Sequence, residues 1–288
     1  MTAVAETVMA REPNIVVRLA RRPTALIGMI VLVLMILLSL LAPYISPYDP
    51  AKLMVRARLT APGAEHFFGT DDLGRDVLTR VLYSGRTSLL VGVAVVIFSS
   101  VIGVVLGLMA GFSRKLDPPV SRLIDAMMAF PDILLAIALV AVLGPSAINV
   151  VIALGIVYAP RLARVVRAST LVIRELPYVE AARALAVPTP VILVRHVLRN
   201  VTSPLLVQAT FIFANAILAE AGLSFLGVGI SPDIPTWGTM ISVGRQYLEQ
   251  APWIMWFPGG AIIVTVLSLQ LVGDGLRDFL DPRLAKDI

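Results

Sequence analysis

Of the 288 residues, 58% are hydrophobic and 15% charged, with mean hydropathy +0.87, which excludes a soluble domain, where roughly 45–50% and 25% are usual, and indicates a polytopic membrane protein. The 24 basic residues against 19 acidic give a net charge of +5, an excess that cytoplasmic loops of membrane proteins collect by themselves and that calls for no nucleic acid. With no cysteine, and with His66 and His196 far apart in sequence, disulfides, thiolate chemistry and a histidine-based metal or catalytic cluster are excluded.

The first apolar run, Thr24–Ala42, follows Arg18, Arg21 and Arg22 and is closed by Pro43, Pro47 and Pro50. At about 19 residues it is longer than a signal-peptide core and sufficient to cross the hydrocarbon, so it predicts a retained transmembrane helix. The loop from Pro43 to Gly85 balances its five basic residues with Asp49, Glu65, Asp71, Asp72 and Asp76. Within it Gly69 and Gly74 flank an acidic turn, and Thr70 is placed to cap a helix starting near Asp71 or Asp72 and carrying Arg75 and Arg80. That block either folds onto the bundle through Asp–Arg pairs or touches a substrate-delivering protein.

The second run, Thr87–Phe112, carries Gly103, Gly107 and Gly111 on one face, a stripe for close packing within the subunit or against a partner subunit. A third run, Ala126–Gly144, places Asp125 and Asp132 two turns apart on one face, with Pro131 to kink it; Pro145–Pro160 is a short fourth. The fifth, Val201–Phe225, contains Asn215 and Glu220, and the sixth is Ala251–Gly273. Ionisable groups inside such runs are costly and usually face a cavity. Glu220, Asn215 and Asp132 are therefore candidates for a substrate path; for Glu220 a buried pair with an arginine or a place at the outer interface is the alternative. Trp237, Trp253 and Trp256 flank the last run as an interfacial aromatic belt. Six spans put both termini on one side. With the N-terminus cytoplasmic, 17 of the 24 basic residues fall on inside segments, among them Arg11, Arg18, Arg21 and Arg22 before the first span, Arg161, Arg164 and Arg167 in the loop after the fourth, and Arg283 and Lys286 after the last, so both termini are expected in the cytoplasm.

Between the fourth and fifth runs lies a charged helix-turn-helix, 171–200. Pro177 suits the first turn of a helix carrying Glu180, Ala181, Ala182, Arg183 and Leu185, and Pro188 stops it. Thr189 and Pro190 restart the chain. On the second helix Arg195 and Arg199 share a face, with Val191, Val194 and Leu198 opposite. A small-residue helix with one acid fits a cleft of another protein, whereas a basic loop that merely fixes topology is the plainer alternative.

This segment resembles the EAA loop of ABC importer permeases, where the membrane subunit meets its ATPase. Glu180-Ala181-Ala182 matches the family pattern; Ala186 stands where glycine is usual and Arg199 where proline is usual, so the bend is expected at Pro188. The N-terminal span with Leu41-Ala42-Pro43-Tyr44, the block from Phe68 to Arg80 leading to Gly85-Arg86, Leu223 to Gly229 with Pro235 to Gly238, and Gly273 to Arg283 resemble, in order, the C-type permease subunit of the dipeptide, oligopeptide and nickel group. The resemblance implies an all-α polytopic membrane protein with six transmembrane helices, the type I ABC importer permease fold, and cytoplasmic N- and C-termini. It implies two parts: residues 1–85, with the first helix and outer loop, and a permease core, residues 86–288.

The same resemblance implies ATPase coupling through Glu180, Ala181, Ala182, Arg183, Ala186, Arg195 and Arg199. Implied partners are a second homologous permease as heterodimer, two ATP-binding subunits, an extracytoplasmic solute-binding protein and the lipid bilayer of the bacterial cytoplasmic membrane. Lys52, Lys115 and Lys286 are the only lysines and none follows a phosphate-binding glycine loop. No catalytic, cofactor or metal site is therefore expected in this chain, and ATP and Mg2+ belong on the partner ATPases. The function expected is ATP-driven import of dipeptides or oligopeptides, with nickel, glutathione or another solute as the alternative cargo. A secondary transporter or channel is opposed by the coupling loop and the lack of an inverted repeat. An intramembrane enzyme is opposed by the lack of a nucleophile–base or metal constellation.

Overall fold

In the computed structural model residues 22–280 are described, and every regular element among them is a helix. Helix α1 (Pro23–Leu40) starts on a proline, which fits an N-terminal turn whose N–H groups lack partners. After the short α2 (Ala42–Ile45), a loop crosses one end of the bundle and enters α3 (Val77–Phe112). Helix α3 starts ten residues before the apolar run. Its cap is Asp76, whose Oδ1 accepts the Thr79 N–H at 2.8 Å. The expected helix at Asp71 does not form: Gly69 and Gly74 sit at φ 73° and 76°, and Asp71 Oδ1 accepts the Leu73 and Arg75 N–H groups to make a turn instead. Thr70 therefore caps nothing; its Oγ1 accepts from the Thr60 N–H at 2.8 Å.

Asp71 pairs with Arg75 at 2.6 Å and Arg80 at 3.6 Å, so the acidic block is satisfied internally. Phe68 stacks on Phe257 with ring centroids 3.8 Å apart, and the Trp253 indole donates to the Thr70 carbonyl, which fastens the loop to the last helix.

The predicted third span is broken. Helices α4 (Asp117–Met128) and α5 (Asp132–Leu143) meet at 92° across Ala129–Pro131, giving six crossings when the bent pair is counted as one. Twelve residues of α5 rise only about 18 Å, too short to cross roughly 30 Å of hydrocarbon alone. Asp125 and Asp132 therefore do not share a helix face. The fourth run is longer than predicted: α6 (Ala147–Ile173) continues through Pro160 for 27 residues, so Arg161, Arg164 and Arg167 lie on a helix, not in the loop where the charge count placed them.

Helix α7 (Pro177–Ala184) follows. Next, α8 (Thr189–Ile192), a π-helical turn over Leu193–Leu198 and α9 (Arg199–Phe225) join into one apolar helix, Thr189–Phe225. The second helix of the 171–200 segment is thus the stem of a span. Helix α10 (Trp237–Gly244) precedes α11 (Trp253–Leu280), which runs past the predicted end at Gly273. Arg11, Arg18, Arg21, Arg283 and Lys286, used in the orientation argument, lie outside the described residues.

Helices α3 and α6 form the closest packing. A Cβ on Gly103, Gly107 or Gly111 would stand 2.5–2.6 Å from the Cβ of Leu162, Val166 or Thr170, so the glycine stripe of α3 seats a four-residue ridge of α6 within the same chain. A separate core holds α10: Trp237 is buried, its indole donating to the Val81 carbonyl at 3.0 Å and its backbone N–H to Ser88 Oγ at 3.1 Å. The expected tryptophan belt thus reduces to Trp256, the one of the three that is exposed. Helix α1 packs on α11 where Gly28 approaches Leu271, and Arg22 pairs with Asp278. Those contacts put both ends of the described chain at one end of the bundle, called here the proximal end; the loop before α3 lies at the distal end.

Candidate functional site

The 171–200 segment lies at the proximal end. The Arg174 guanidinium donates to the Gly111 carbonyl at 2.8 Å, and Arg183 stacks over Phe112 at 4.6 Å, so the segment is tied to the end of α3. Its buried side holds Val179, Ala182, Ile192 and Val197, packed with Val166 and Val201. Helix α7 ends in a Schellman motif: the Ala186 N–H donates to the Arg183 carbonyl at 2.9 Å and the Val187 N–H to the Ala182 carbonyl at 3.0 Å. Ala186 occupies the left-handed position at φ 58°. The bend is made there, not at Pro188, although the residue is not glycine.

The π turn also redraws the faces expected of the second helix. With hydrogen bonds to i+5, side chains five apart align, so Ile192 and Val197 are buried while Val191 and Val194 are exposed. Arg195 and Arg199 are exposed as well.

The outward surface of the segment has a defined chemistry. Glu180, Ala181 and Arg183 are exposed, and on the same segment Tyr178 and Leu185 (78% exposed) present apolar area outside the spans, while Val194 (64% exposed) lies on the stem of the span. An exposed apolar patch bordered by charge is the usual form of a protein docking surface. The Glu180 side chain has no ion-pair or hydrogen-bond partner among the described residues, while its backbone N–H donates to the Leu176 carbonyl. Nearby Glu175 pairs with Arg174 at 2.9 Å, and Asp117 with Arg167 at 2.5 and 2.9 Å. The structure thus brings Glu180, Ala181, Arg183, Ala186, Arg195 and Arg199 onto one exposed segment and turns Ala182 inward.

The three path candidates separate. Asp132, the first residue of α5, pairs with Arg161 in the middle of α6. Arg161 lies 5.6 Å from the Tyr158 ring, and the Tyr158 hydroxyl donates to the Asn215 carbonyl at 3.3 Å. Asp132 is thus linked through Arg161 and Tyr158 to the Asn215 main chain, while the Asn215 side-chain amide donates to the Phe211 carbonyl of its own helix. Glu220 is elsewhere, 1% exposed, its Oε1 accepting from the Ser224 and Thr236 hydroxyls at 2.9 Å each. It holds α10 to α9 through hydroxyl groups, and the arginine pair offered as one alternative is not formed among the described residues.

Arg161, Arg164 and Arg167 entered the sequence reading only as topology markers. They pair with Asp132, Asp125 and Asp117 respectively. The three-residue spacing of the arginines was visible, but reading them as helical required α6 to continue through Pro160.

Two family models match the chain: the binding-protein-dependent transport system inner membrane component over residues 103–286, and the N-terminal transmembrane domain of oligopeptide transport permease C over residues 14–62. A relative from Brucella suis biovar 1, named for a peptide transport system permease role, is 50% identical over 267 residues, covering 93% of this chain and 90% of its own. The dipeptide transport system permease protein DppC of Alkalihalophilus pseudofirmus is 44% identical over 93% of this chain and 88% of its own. Among solved structures, the MetNI methionine ABC transporter in an inward-facing conformation matches with TM-score 0.56 and 20% identity, covering 70% of this chain and 96% of that one. At that identity the likeness speaks for the fold.

Proposed function

The chain belongs to the family of binding-protein-dependent transport inner-membrane components, and on that premise we propose that it is the C-type permease subunit of an ATP-driven importer of short peptides. Membership makes it a multi-pass inner-membrane permease that works with a separate ATPase and a substrate-binding protein, not an enzyme. The proposed assembly adds a second, homologous permease as heterodimer and two ATPase subunits, with ATP and Mg2+ on those subunits. Both termini and the 171–200 segment are assigned to the cytoplasm, and the division near residue 85 into an N-terminal part and a permease core is retained.

The observation that carries coupling is Glu180: an exposed acid whose side chain is unpartnered among the described residues, on a small-residue helix whose other face is anchored to α6 and α9. An ATPase cleft that takes α7 grips an element packed on Val166 and Val201, so its closure moves both spans as one body. Peptide as cargo rests on the names of relatives that share 44–50% identity across nearly the whole chain. Affinity isolation of the tagged chain from cells expressing its neighbouring transport genes should recover an ATPase and a second permease in stable complex. Recovery of the chain alone, with uptake driven by an ion gradient, would replace this reading with a secondary transporter.

A further inference from the structure

The Asp132–Arg161 pair stands where a membrane helix rarely tolerates charge. Arg161 is 14 residues from the start of the 27-residue α6 and 12 from its end, so about 20 Å of helix lies on either side. A charge on the lipid-facing side of a spanning helix is costly, so such groups usually face a cavity or another protein. Yet the two side chains are 38% and 37% exposed in the single chain. Their exposed side therefore faces protein or water, not hydrocarbon. The break at Pro131 aims the start of α5 at this point, and the helix N-terminus favours the Asp132 carboxylate. Tyr158 flanks Arg161 and reaches the Asn215 carbonyl, while the Asn215 amide donates to the Phe211 carbonyl at 2.7 Å. Acid, guanidinium and phenol thus meet midway along α6, beside the core in which α3, α5, α6 and α9 pack together.

We propose that Asp132 and Arg161 form a dipolar binding site for the zwitterionic ends of a short peptide in transit. The inference rests on the peptide-importer reading and names residues that would hold the cargo. In the empty chain the two charges satisfy each other. A dipeptide, whose termini lie about 7 Å apart when extended, opens the pair: its ammonium goes to Asp132 and its carboxylate to Arg161. One internal ion pair is exchanged for two, and no charge is left desolvated. A peptide with one end blocked leaves either Asp132 or Arg161 without a partner, the costly outcome at this depth. Two further pairs, Asp125–Arg164 and Asp117–Arg167, continue from this level toward the proximal end and extend the polar track out of the bundle.

The test uses proteoliposomes containing the complete transporter and saturating binding protein. Uptake of alanyl-alanine, its N-acetyl form and its C-terminal amide is compared in wild type, Asp132→Asn and Arg161→Gln. Since the binding protein is the same in every arm, its own preference cancels in the comparison. Asp132→Asn should erase roughly ten- to hundredfold of the preference over the N-acetyl form, and Arg161→Gln as much of the preference over the amide, the factor a charge-assisted hydrogen bond carries. A pair that merely braces α5 against α6 predicts equal losses for all three peptides, and that result would overturn the site. Arg161→Lys keeps the charge and guards against misfolding: it should retain the preference over the amide, and its loss there counts against the site. Uptake of no peptide by the wild type would overturn the peptide reading itself, whereas normal uptake with an unchanged order in every variant would overturn the site alone.

Discussion

At Ala186 the backbone takes a conformation, φ 58°, that costs an L-residue with a Cβ about 1–2 kcal/mol relative to glycine. Hydrogen bonds from Ala186 and Val187 hold it there, and Val187 packs beside Ala182. Ala186→Gly should therefore raise the stability of the assembled complex by about 1 kcal/mol, read as a higher thermal midpoint; a lower midpoint would mean that the left-handed turn is not the native conformation. Glu180 carries the opposite kind of prediction. Glu180→Lys should leave insertion into the membrane intact and abolish most ATPase co-purification, because truncating or reversing one member of a docked charge pair costs roughly 2–5 kcal/mol. Normal co-purification with normal stimulated hydrolysis would remove Glu180 from the coupling role. The helix that carries Glu180, and its start at Pro177, were legible from sequence alone. Ala186 was legible as a departure, but its consequence was not: the hydrogen bonds that enforce the turn come from residues on both sides, and no single-residue preference records them.

The glycine stripe shows what an element-scale pattern can and cannot tell. A four-residue recurrence at Gly103, Gly107 and Gly111 marks a close approach but not the partner, and the partner is the ridge Leu162, Val166 and Thr170 of α6. Gly107→Leu would place a Cβ 2.6 Å from that of Val166 and force the two longest-packed helices apart, a loss of about 1–3 kcal/mol or more. Gly259→Leu, where a Cβ meets nothing within 4 Å, is the matched control. Detergent-solubilised Gly107→Leu should lose its thermal midpoint while the control keeps it; equal behaviour would dissolve the α3–α6 interface as drawn. Spans with uninterrupted apolar runs, such as α1, were legible to within two residues. The bent α4–α5 pair was not, because hydropathy averages over Pro131 and the helix axis turns within three residues. The extension of α6 through Pro160 was missed for the converse reason: Arg161, Arg164 and Arg167 read as loop residues until Asp132, Asp125 and Asp117 supply their partners.

For the whole molecule, the proposed orientation predicts that Thr189 faces the cytoplasm. The chain has no native cysteine, so Thr189→Cys gives an unambiguous label: a membrane-impermeant maleimide should reach it only in inverted vesicles, and labelling of intact spheroplasts would reverse the topology. In the proposed transporter this chain provides a path but no energy. In the proposed assembly the exposed 171–200 segment docks an ATPase, and the Asp132–Arg161 pair faces the translocation path. The most direct measurement is uptake of a radiolabelled dipeptide into proteoliposomes assembled with this chain, the second permease, the ATPase and the loaded binding protein. Uptake that requires all four components and ATP, and that vanishes when this chain is omitted, is the predicted result. Dipeptide uptake by this chain alone, or by the other components without it, would contradict the account.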